Sequence, residues 1–512
     1  MKQLIVVLLM LLAIIGSAQW VQMNGPHGGN IKCTAVSGTN IFAAGGGLYI
    51  SSNNGTNWES INYGPFDTTL ARKLQQTLDS VRISQNYKGI SASVIIQGRG
   101  TWLGASGVSY SNVNVTPSMY LGIGSNTKTF MSVLTLKLAE LNVLNIDDSL
   151  HKWIPRFQYV DSSITIRQLL NHTSGIFDFT TITGYADSIL SNPNRIWTPE
   201  ELLLFLSTPY FPKGQGFQYS NTNYLILGMI VQTATSSQVS AKLRELIINP
   251  LSLAKTFFPI NESVPDTIVH PWVNGVDINS TPRISLLSSA WTAGAIYSTS
   301  ENMGRWYQQL FGGQVLSPSS MSQMLAFTPQ SSGVYGLGVI KYLISGRVLW
   351  GHSGSIRGYT SHMLYDTAMK MSITVLQNQL PGNPVVVSTA LLNTVINNPL
   401  AISPVSTEIP SGFKLYQNYP NPFNPETKIQ FTVPQIKIPS PEGWQTKSDG
   451  VGLVRLTVYD ALGREVETLV NEALQPGTYE VTFSGRGFNS GVYFYRLQAG
   501  EFTETKRMLL IK

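Results

Sequence analysis

The stretch GIGSNTKTFMSVLTLKLAEL (residues 122–141) places Ser125 three residues before Lys128, at the start of a long apolar segment. The apolar residues recur at helical spacing, which predicts a helix with Ser125 at its first turn; they are Phe130, Val133, Leu134, Leu138 and Leu141. Because positions i and i+3 share one face of a helix, the two polar side chains can meet. The pair is therefore either a nucleophile with its base or a helix cap beside a solvated charge.

Spacing alone does not separate these two interpretations, because the same spacing occurs three more times, at Ser149/Lys152, Ser252/Lys255 and Ser411/Lys414. The context of Ser125 is different: Gly122 and Gly124 predict a turn into the helix, and a helix N-terminus disfavours a cation. Burial would also favour the neutral form of Lys128. A serine hydroxyl is a poor nucleophile until a base removes its proton, so a neutral Lys128 would activate Ser125.

A second candidate motif is the triplet Tyr-Ser-Asn at residues 219–221, which precedes another apolar helix. A nearby cation such as Lys128 would lower the pKa of Tyr219 from about 10, so that its hydroxyl could pass a proton to a leaving group. The triplet also occurs at residues 110–112, and a single tyrosine is more often a core residue. The motif is therefore informative only together with the serine and lysine.

A third candidate motif ends the predicted strand in WGHSGSIRGY, at His352, Ser353, Gly354 and Ser355. Glycine at this place would let a substrate lie along the strand edge. The backbone N–H groups of Ser355 and Ser125 would then be the two donors of an oxyanion hole. The alternative for His352 is a structural role, which is commoner for a lone histidine.

Together, and in this order, the three motifs resemble those of the serine β-lactamase and penicillin-binding superfamily. The resemblance is to its branch of class C β-lactamases, D-alanyl-D-alanine carboxypeptidases and esterases, and it covers about residues 68–397. Four further stretches are similar to family signatures: LNIDDSLHKWIP, ITIRQLLNHTSGI, AGAIYSTSENMGRW and YGLGV.

The resemblance implies a role for each candidate residue. Ser125 would be the acylated nucleophile, with Lys128 and Tyr219 as the acid/base pair. The substrate would be bound by Asn221, through its amide, and by the strand residues His352, Ser353, Gly354 and Ser355. Class C β-lactamases have a lysine where His352 stands, and a neutral imidazole binds a carboxylate less firmly than a permanent cation; Arg357 is the residue that could supply that charge. No cofactor is implied.

Composition limits the other classes of function. Charged residues make up 12% of the 512 residues, about half of ordinary usage, as in extracellular, strand-rich proteins. The net charge is +6, but the chain has no run of basic residues, so there is no reason to expect a nucleic-acid partner. Cys33 is the single cysteine, so the chain cannot form an intramolecular disulfide or a thiolate metal cluster. The six histidines lack metal-ligand spacing, and no metal is expected.

The N-terminus has the order of a secretory signal peptide over residues 1–18: Lys2, an apolar run over residues 4–15, and the small residues Gly16, Ser17 and Ala18. The run is shorter than the roughly 20 residues that span a bilayer, so no membrane segment is expected after cleavage. Residues 19–64 predict a small β appendage. Its Ser-x-Asn-x-Gly-x-x-Trp pattern at residues 51–58 resembles one Asp-box turn of sialidase-type propellers, and one copy cannot build a propeller.

Residues 65–397 have strand patterns at both ends and helical patterns between them. This arrangement predicts an α/β (α+β) fold. In the β-lactamase/transpeptidase-like form that the resemblance implies, the two ends of this block make one antiparallel sheet flanked by helices, and a helical subdomain is inserted between them.

The C-terminal part follows a linker rich in serine and proline, at residues 398–412, and has alternating strands over residues 413–512 that predict an all-β sandwich. Its motifs, LYQNYPNPFNPETKIQF and GVYFYRLQAGEFTETKRMLLIK, resemble the sorting domain that type IX secretion recognises. The resemblance implies secretion machinery as a partner.

The sequence thus predicts an exported serine hydrolase that crosses the periplasm and is secreted or held at the cell surface. It would form an acyl-enzyme on amide or ester bonds of a small molecule or peptide: a D-Ala-type peptide, a β-lactam or a small ester. The alternative is a non-catalytic penicillin-binding sensor or binding module with the same fold.

Overall fold

The computed structural model describes residues 66–398 except 98 and 266, and most of the C-terminal part at 409–435, 452–474, 476–485 and 488–511. It also describes the backbone of five short strands, Cys33–Ser37, Asn40–Ala44, Leu48–Ser51, Glu59–Ser60 and Ser403–Ser406. The chain divides into two compact units, Met1–Thr394 and Val395–Lys512. The predicted signal peptide, the turn at residues 52–58 and much of the predicted linker lie outside the described residues.

The central element of the first unit is a seven-stranded sheet. In chain order its strands are β1 (Gly89–Ile96), β2 (Thr101–Tyr110), β3 (Val113–Asn114), β4 (Ile340–Ile344), β5 (Arg347–Ile356), β6 (Tyr359–Asp366) and β7 (Met371–Gln377). Their order in the sheet is β4-β5-β6-β7-β1-β2-β3, and every neighbouring pair is antiparallel. The two ends of the block meet where β7 pairs with β1, which confirms the predicted fold class.

Helices from both ends of this unit pack beside the sheet. The helix Thr68–Ser84 begins at Asp67, whose carboxylate accepts a hydrogen bond from the Leu70 backbone N–H at 2.6 Å. The buried residues Leu70, Leu74 and Leu78 recur every four positions, so this helix presents one apolar stripe to the core. The last helix of the block, Pro384–Asn397, meets it through the hydroxyls of Thr77 and Thr394, 2.8 Å apart.

The inserted subdomain lies between β3 and β4 in the chain and is mainly helical. Its α-helices are Thr127–Glu140, Ile166–Leu170, Tyr185–Ser191, Pro199–Leu203, Asn221–Thr235, Val239–Leu243, Ile284–Gly294, Ser300–Phe311 and Pro318–Met324. A π-helical turn, Arg244–Ile248, continues one of them. It also contains a three-stranded sheet of short strands, Leu121–Gly122 with Thr256–Phe257 and Tyr297–Ser298. A second small sheet joins its strands Trp272–Val273 and Val276–Asp277 to Gln379–Leu380, which follows β7 in the chain.

The helix predicted from residues 122–141 is the most enclosed of these elements. It runs from Thr127 to Glu140 after a 3-10 turn at Gly124–Asn126, and most of its residues are buried on every side. A helix that is covered all round belongs to the interior of a domain. Leu141, predicted to be on its apolar face, is instead 58% exposed, because the helix ends just before it.

The second unit consists of strands. One four-stranded sheet contains Ser403–Ser406, Gly477–Ser484, Glu426–Val433 and Lys414–Leu415, and the other contains Glu465–Leu474, Gly452–Tyr459, Gly491–Ala499 and Phe502–Leu510. Buried side chains of both sheets, such as Phe431 and Tyr495, belong to one core, as predicted for an all-β sandwich. The described strands at residues 33–60 form a four-stranded antiparallel sheet of their own.

No helix among the described residues is both long and apolar enough to cross a bilayer.

Candidate active site

Lys128 lies in the first turn of its helix with its side chain fully buried. Its Nζ donates hydrogen bonds to Ser125 Oγ at 3.0 Å, to Asn221 Oδ1 at 2.9 Å and to the carbonyl oxygen of Ala293 at 2.8 Å. Burial lowers the pKa of Lys128 to about 7, although the carboxylate of Asp178 acts in the opposite direction. At neutral pH much of Lys128 is therefore an uncharged amine within reach of the serine hydroxyl, as a general base must be.

The other three serine–lysine pairs have no such environment. Lys152 has a side chain that is 53% exposed and forms an ion pair with Asp148 at 2.9 Å. Lys255 and Lys414 are exposed as well. Burial lowers the pKa of Lys128, and the other three lysines are exposed, so the four pairs differ in chemistry although they share one spacing.

A strained backbone segment supplies one of the groups that bind Lys128. The helix Ile284–Gly294 is interrupted at Trp291, whose φ of 32° and ψ of −122° are not helical. Two residues later, the carbonyl oxygen of Ala293 points to Lys128 Nζ instead of continuing a regular helix. Strained backbone of this kind is found mostly where the surrounding packing and a functional requirement hold it in place.

Asp178 is a component of the site that sequence reasoning missed. It is 4% exposed, and its carboxylate accepts hydrogen bonds from Asn221 Nδ2 at 3.1 Å and from the Thr180 backbone and hydroxyl at 3.0 and 2.8 Å. Because Asn221 Nδ2 donates to Asp178, its Oδ1 is fixed towards Lys128. The available signal was an aspartate set between Phe177 and Phe179, which predicts a buried carboxylate.

Tyr219 lies over the amine of Lys128, with Nζ 4.8 Å from its ring centroid. Burial raises the pKa of Tyr219 well above 10, and the Ser125 hydroxyl only partly offsets this. The expectation that Lys128 lowers this pKa is therefore wrong, because desolvation is the larger effect. Its hydroxyl oxygen is buried and makes no regular hydrogen bond to the described residues, so it stays protonated and has a proton to donate.

The N-terminal end of the Ser125 turn lies directly against β5. Gly124 has φ +54°, and a Cβ atom added there would lie 2.6 Å from the backbone N of Ser355. A Cβ atom added at Gly354 would overlap the carbonyl oxygen of Ile123 and lie 3.0 Å from the backbone N of Ser125. Glycine at both positions lets the backbones of Ser125 and Ser355 come together, as an oxyanion hole with these two donors requires.

His352 belongs to a buried chain of hydrogen bonds. Its Nδ1 bonds to the carbonyl oxygen of Ser353, which can only accept, so Nδ1 carries the proton. Its Nε2 must then accept from the Tyr335 hydroxyl, 3.0 Å away. Burial and the charge of Lys128 lower the pKa of His352 to about 3, so the ring is neutral near pH 7.

The same chain of hydrogen bonds continues from Tyr335 to His172. The contacts of His172 show that each proton is donated in the direction from His172 to Tyr335 to His352. His172 Nδ1 accepts from the Ser220 backbone N–H at 3.2 Å and from Asn223 Nδ2 at 3.0 Å, which leaves the proton on Nε2. That proton is donated to the Tyr335 hydroxyl oxygen at 3.2 Å. The centroid of the His172 ring also lies 4.4 Å from that of the Tyr219 ring, so this hydrogen-bond chain packs against Tyr219.

The predicted site residues thus fall into two groups. Ser125, Lys128, Tyr219 and Asn221 come together around the buried amine, and the backbones of Gly354 and Ser355 reach Ser125. Ser355 is exposed and Ser353 is half-buried, whereas His352 is 2% exposed with both ring nitrogens bonded inside the protein. Substrate contacts of Asn221, His352, Ser353, Gly354 and Ser355 stay predictions.

Comparison with known proteins agrees with this geometry. The sequence profile of the Beta-lactamase family matches residues 70–397, and that of the secretion system C-terminal sorting domain matches residues 417–512. Protein flp of Staphylococcus aureus is 27% identical over 388 residues, which are 72% of this chain and 74% of that protein.

Two solved structures are similar as well. The D-stereospecific amidohydrolase from a Streptomyces species is 29% identical with a TM-score of 0.54, over 60% of this chain and 94% of that one. The D-amino acid amidase from Ochrobactrum anthropi SV3 is 26% identical with a TM-score of 0.58, over 65% of this chain and 99% of that one. The sorting domain indicates a secreted or cell-surface location. The chain therefore belongs to the β-lactamase family and ends in a type IX secretion sorting domain.

Proposed function

We propose that this protein is a serine hydrolase that cleaves amide or ester bonds through an acyl-enzyme on Ser125. The observation that carries the proposal is the fully buried Lys128 amine, with a pKa of about 7, hydrogen-bonded to the Ser125 hydroxyl at 3.0 Å. A nucleophile and a base in direct contact, with the base itself held by a third group, form the arrangement that nucleophilic catalysis needs.

In the first half-reaction, neutral Lys128 takes the proton of Ser125 as Oγ attacks the carbonyl carbon of the substrate. The negative charge that develops on the carbonyl oxygen is stabilised by the backbone N–H groups of Ser125 and Ser355. Tyr219 then gives its proton to the departing nitrogen or oxygen, and the bond to the leaving group breaks. A proton passed from Lys128, now protonated, to the deprotonated Tyr219 returns both groups to their starting states.

In the second half-reaction, a water molecule attacks the ester that links the substrate to Ser125. The same groups act in reverse, because the step is the attack of a different nucleophile on a similar carbonyl. Asn221 and Asp178 hold Lys128 in place throughout and do not exchange protons with the substrate. The products are a free acid and the regenerated serine.

For the substrate we propose derivatives of D-amino acids, with amides as the first choice. The support comes from the two similar solved structures, whose names describe a D-stereospecific amidohydrolase and a D-amino acid amidase. Peptides that end in D-alanine, β-lactams and small esters present the same reacting carbonyl and belong in the same test. We also propose that the N-terminal segment directs export through the periplasm and that residues 413–512 are not needed for catalysis.

The test is an intact-mass measurement after incubation with one member of each substrate type: a D-amino acid amide, a D-Ala-D-Ala peptide, a penicillin and a small ester. We expect a mass increase equal to the acyl group in the wild type and none in Ser125→Ala, with release of product over time. A stable adduct without turnover would support the alternative of a penicillin-binding sensor. An adduct that survives in Ser125→Ala would refute the proposal.

A further inference from the structure

A small cavity lies beside the two-residue turn that joins β5 and β6. Its volume is about 20 Å³, which is room for a single water molecule or an ion of similar size. Apolar side chains make up much of its wall, including Ile189, Leu190, Pro193 and Leu286. Two arginines, Arg283 and Arg357, complete the lining, and no residue of the described lining is acidic.

The Arg283 side chain is held in place, but not all of its hydrogen-bond donors have an acceptor. Its Nη1 donates to the hydroxyl of Tyr297, and its guanidinium lies 4.7 Å from the centroid of the Tyr359 ring. Its Nη2 is buried and has no hydrogen-bond partner within the described part of the chain. The side chain is therefore fixed on the wall with one donor free, and a buried donor without a partner costs about 1 to 3 kcal/mol.

Arg357 gives the cavity a second free donor. Its Nε is also buried without a partner among the described residues, and no ion pair of Arg357 occurs there. Buried polar atoms in folded proteins are nearly always hydrogen-bonded, so two free cationic donors at one cavity call for an explanation. They also repel each other, because both guanidinium groups are always charged.

No carboxylate of the described residues forms an ion pair with either of these two arginines. The charge of Arg283 helps to lower the pKa of Asp277, but the Asp277 carboxylate is bound to His270 at 2.7 Å and to the backbone of Asn279 at 2.9 Å. No ion pair joins it to Arg283 in the described structure. The cavity thus has apolar walls, two positive charges and no negative one, and a charge interacts more strongly across such walls than in water.

We propose that the cavity between Arg283 and Arg357 is a binding site for a small anion, either a free halide or one oxygen of a carboxylate. Both would accept hydrogen bonds from the two free donors and neutralise the repulsion between the guanidinium groups. Both also fit a space that holds a single atom of this size.

The position of the cavity relates it to the proposed active site. Arg357 follows Ser355 by two residues, in the turn after β5, and the Ser355 backbone adjoins Gly124 and Ser125. A substrate that lies along β5 and carries a carboxylate on an arm past Ser355 would reach this anion site. This second step rests on the proposed function, whereas binding of a free halide does not.

The first arm of the experiment needs no enzyme activity. Thermal unfolding of the full-length mature protein is followed while bromide, or separately acetate, replaces a bulky sulfonate at constant ionic strength. We expect a saturable rise in Tm of about 2 to 4 °C in the wild type, since a ligand that binds only the folded state stabilises it. Arg357→Ala should abolish the rise and Arg283→Lys should weaken it, whereas the exposed Arg156→Ala should preserve it.

The second arm compares two substrates that differ only in a distal carboxylate or carboxamide. If the site takes a substrate carboxylate, Arg357→Ala should lower the ratio of their kcat/KM values by about tenfold, and Arg156→Ala should leave it unchanged. A lost Tm rise with an unchanged ratio identifies a free-anion site. No Tm rise in the wild type, or an equal rise in Arg357→Ala, overturns the proposal. Absence of turnover with every substrate refutes the proposed function and leaves the first arm valid.

Discussion

The Nζ of Lys128 lies 3.0 Å from the Oγ of Ser125, and the lysine that makes this contact has no exposed surface. A buried lysine is normally unfavourable, because its charge loses the solvation of water. Here Nζ also lies 2.9 Å from Asn221 Oδ1 and 2.8 Å from the carbonyl oxygen of Ala293; these two acceptors bind the two hydrogens of the neutral amine and leave its lone pair for the serine hydroxyl. The contact thus joins the proposed nucleophile to a lysine whose pKa is about 7.

Ser125→Ala should abolish covalent labelling by a serine-directed acylating probe. Ser149→Ala and Ser252→Ala are the matched controls, because each serine also precedes a lysine by three residues but that lysine is exposed. We expect labelling of both controls to equal that of the wild type in an intact-mass assay. Loss of labelling in either control, or retention in Ser125→Ala, would assign the nucleophile elsewhere.

The rate of acylation should rise with pH and reach half of its maximum near pH 7, because Lys128 has a pKa of about 7 and acts when neutral. Asp178→Asn should move this midpoint to lower pH, since the carboxylate of Asp178 raises the pKa of Lys128. The exposed Asp187→Asn is the control. The measurement is kcat/KM from pH 5 to 9, and an upward shift in Asp178→Asn would contradict the assignment of Lys128 as base.

Lys128→Met should change how stability depends on pH. The pKa of Lys128 is about 7 in the folded state and near 10.5 when unfolded, so between these values the unfolded chain holds a proton that the folded protein lacks. Wild-type stability therefore rises with pH over this range, by about 2 to 3 kcal/mol between pH 7 and 9, and this gain is absent in Lys128→Met. Urea unfolding at several pH values measures it, and the exposed Lys152→Met should behave as wild type.

Tyr219→Phe should slow the acylation by amides about 10² to 10⁴-fold, the usual effect of removing a general acid or base. The loss should be much smaller for an ester with an activated phenol as leaving group, because that group departs without protonation. Tyr110→Phe, from the other Tyr-Ser-Asn triplet, should have little effect. The double variant with Lys128→Ala should be no slower than the worse single variant, since residues that act as a unit are not additive. Equal losses for both leaving groups would exclude the role of proton donor.

Tyr335→Phe should disrupt the hydrogen-bond chain between the two buried histidines. The chain contains few enough histidines, six, for nitrogen-15 labelling to resolve their tautomers. In the wild type we expect His352 to remain neutral with the proton on Nδ1 from pH 5 to 8, because its pKa is about 3. The variant should keep this tautomer, because the Ser353 carbonyl still accepts from Nδ1, but it should lose the hydrogen bond to Nε2 and about 1 to 3 kcal/mol of stability. Tyr159→Phe, at an exposed position, should not lose this stability. A His352 that titrates near pH 6.5 in the wild type would disprove the hydrogen-bond chain.

Much of the fold could be predicted because local pattern and tertiary structure agree. The strand patterns expected at both ends of residues 65–397 appear in the structure as Gly89–Ile96 and as the three strands between Arg347 and Gln377. The end of the central helix was less predictable, since Leu141 continues the apolar spacing but lies beyond the last turn. Apolar spacing indicates which face of a helix is buried, but the last residue of a helix depends on capping, which the spacing does not show.

The sequence predicted which residues come together in the site better than it predicted their burial and pKa values. His352 was predicted on the substrate strand, with a structural role as the alternative. The sequence did not reveal that burial lowers its pKa to about 3 or that its Nε2 accepts from the Tyr335 hydroxyl. Asp178 was missed, because a single aspartate between two phenylalanines has no spacing that relates it to residue 221. Its role depends on a contact between segments 43 residues apart.

The sequence by itself determined which side chains are available for acyl transfer, since the identity and order of the serine, lysine and tyrosine are part of the covalent structure. Only the tertiary structure separates the four equal spacings, because Lys128 is buried whereas Lys152, Lys255 and Lys414 are exposed, and the pKa of a lysine falls when the surrounding chain removes its water. It also distinguishes the proposed base, Lys128, from the proposed acid, Tyr219. Burial lowers the pKa of the amine and raises that of the phenol, and so separates two groups whose unperturbed pKa values are close.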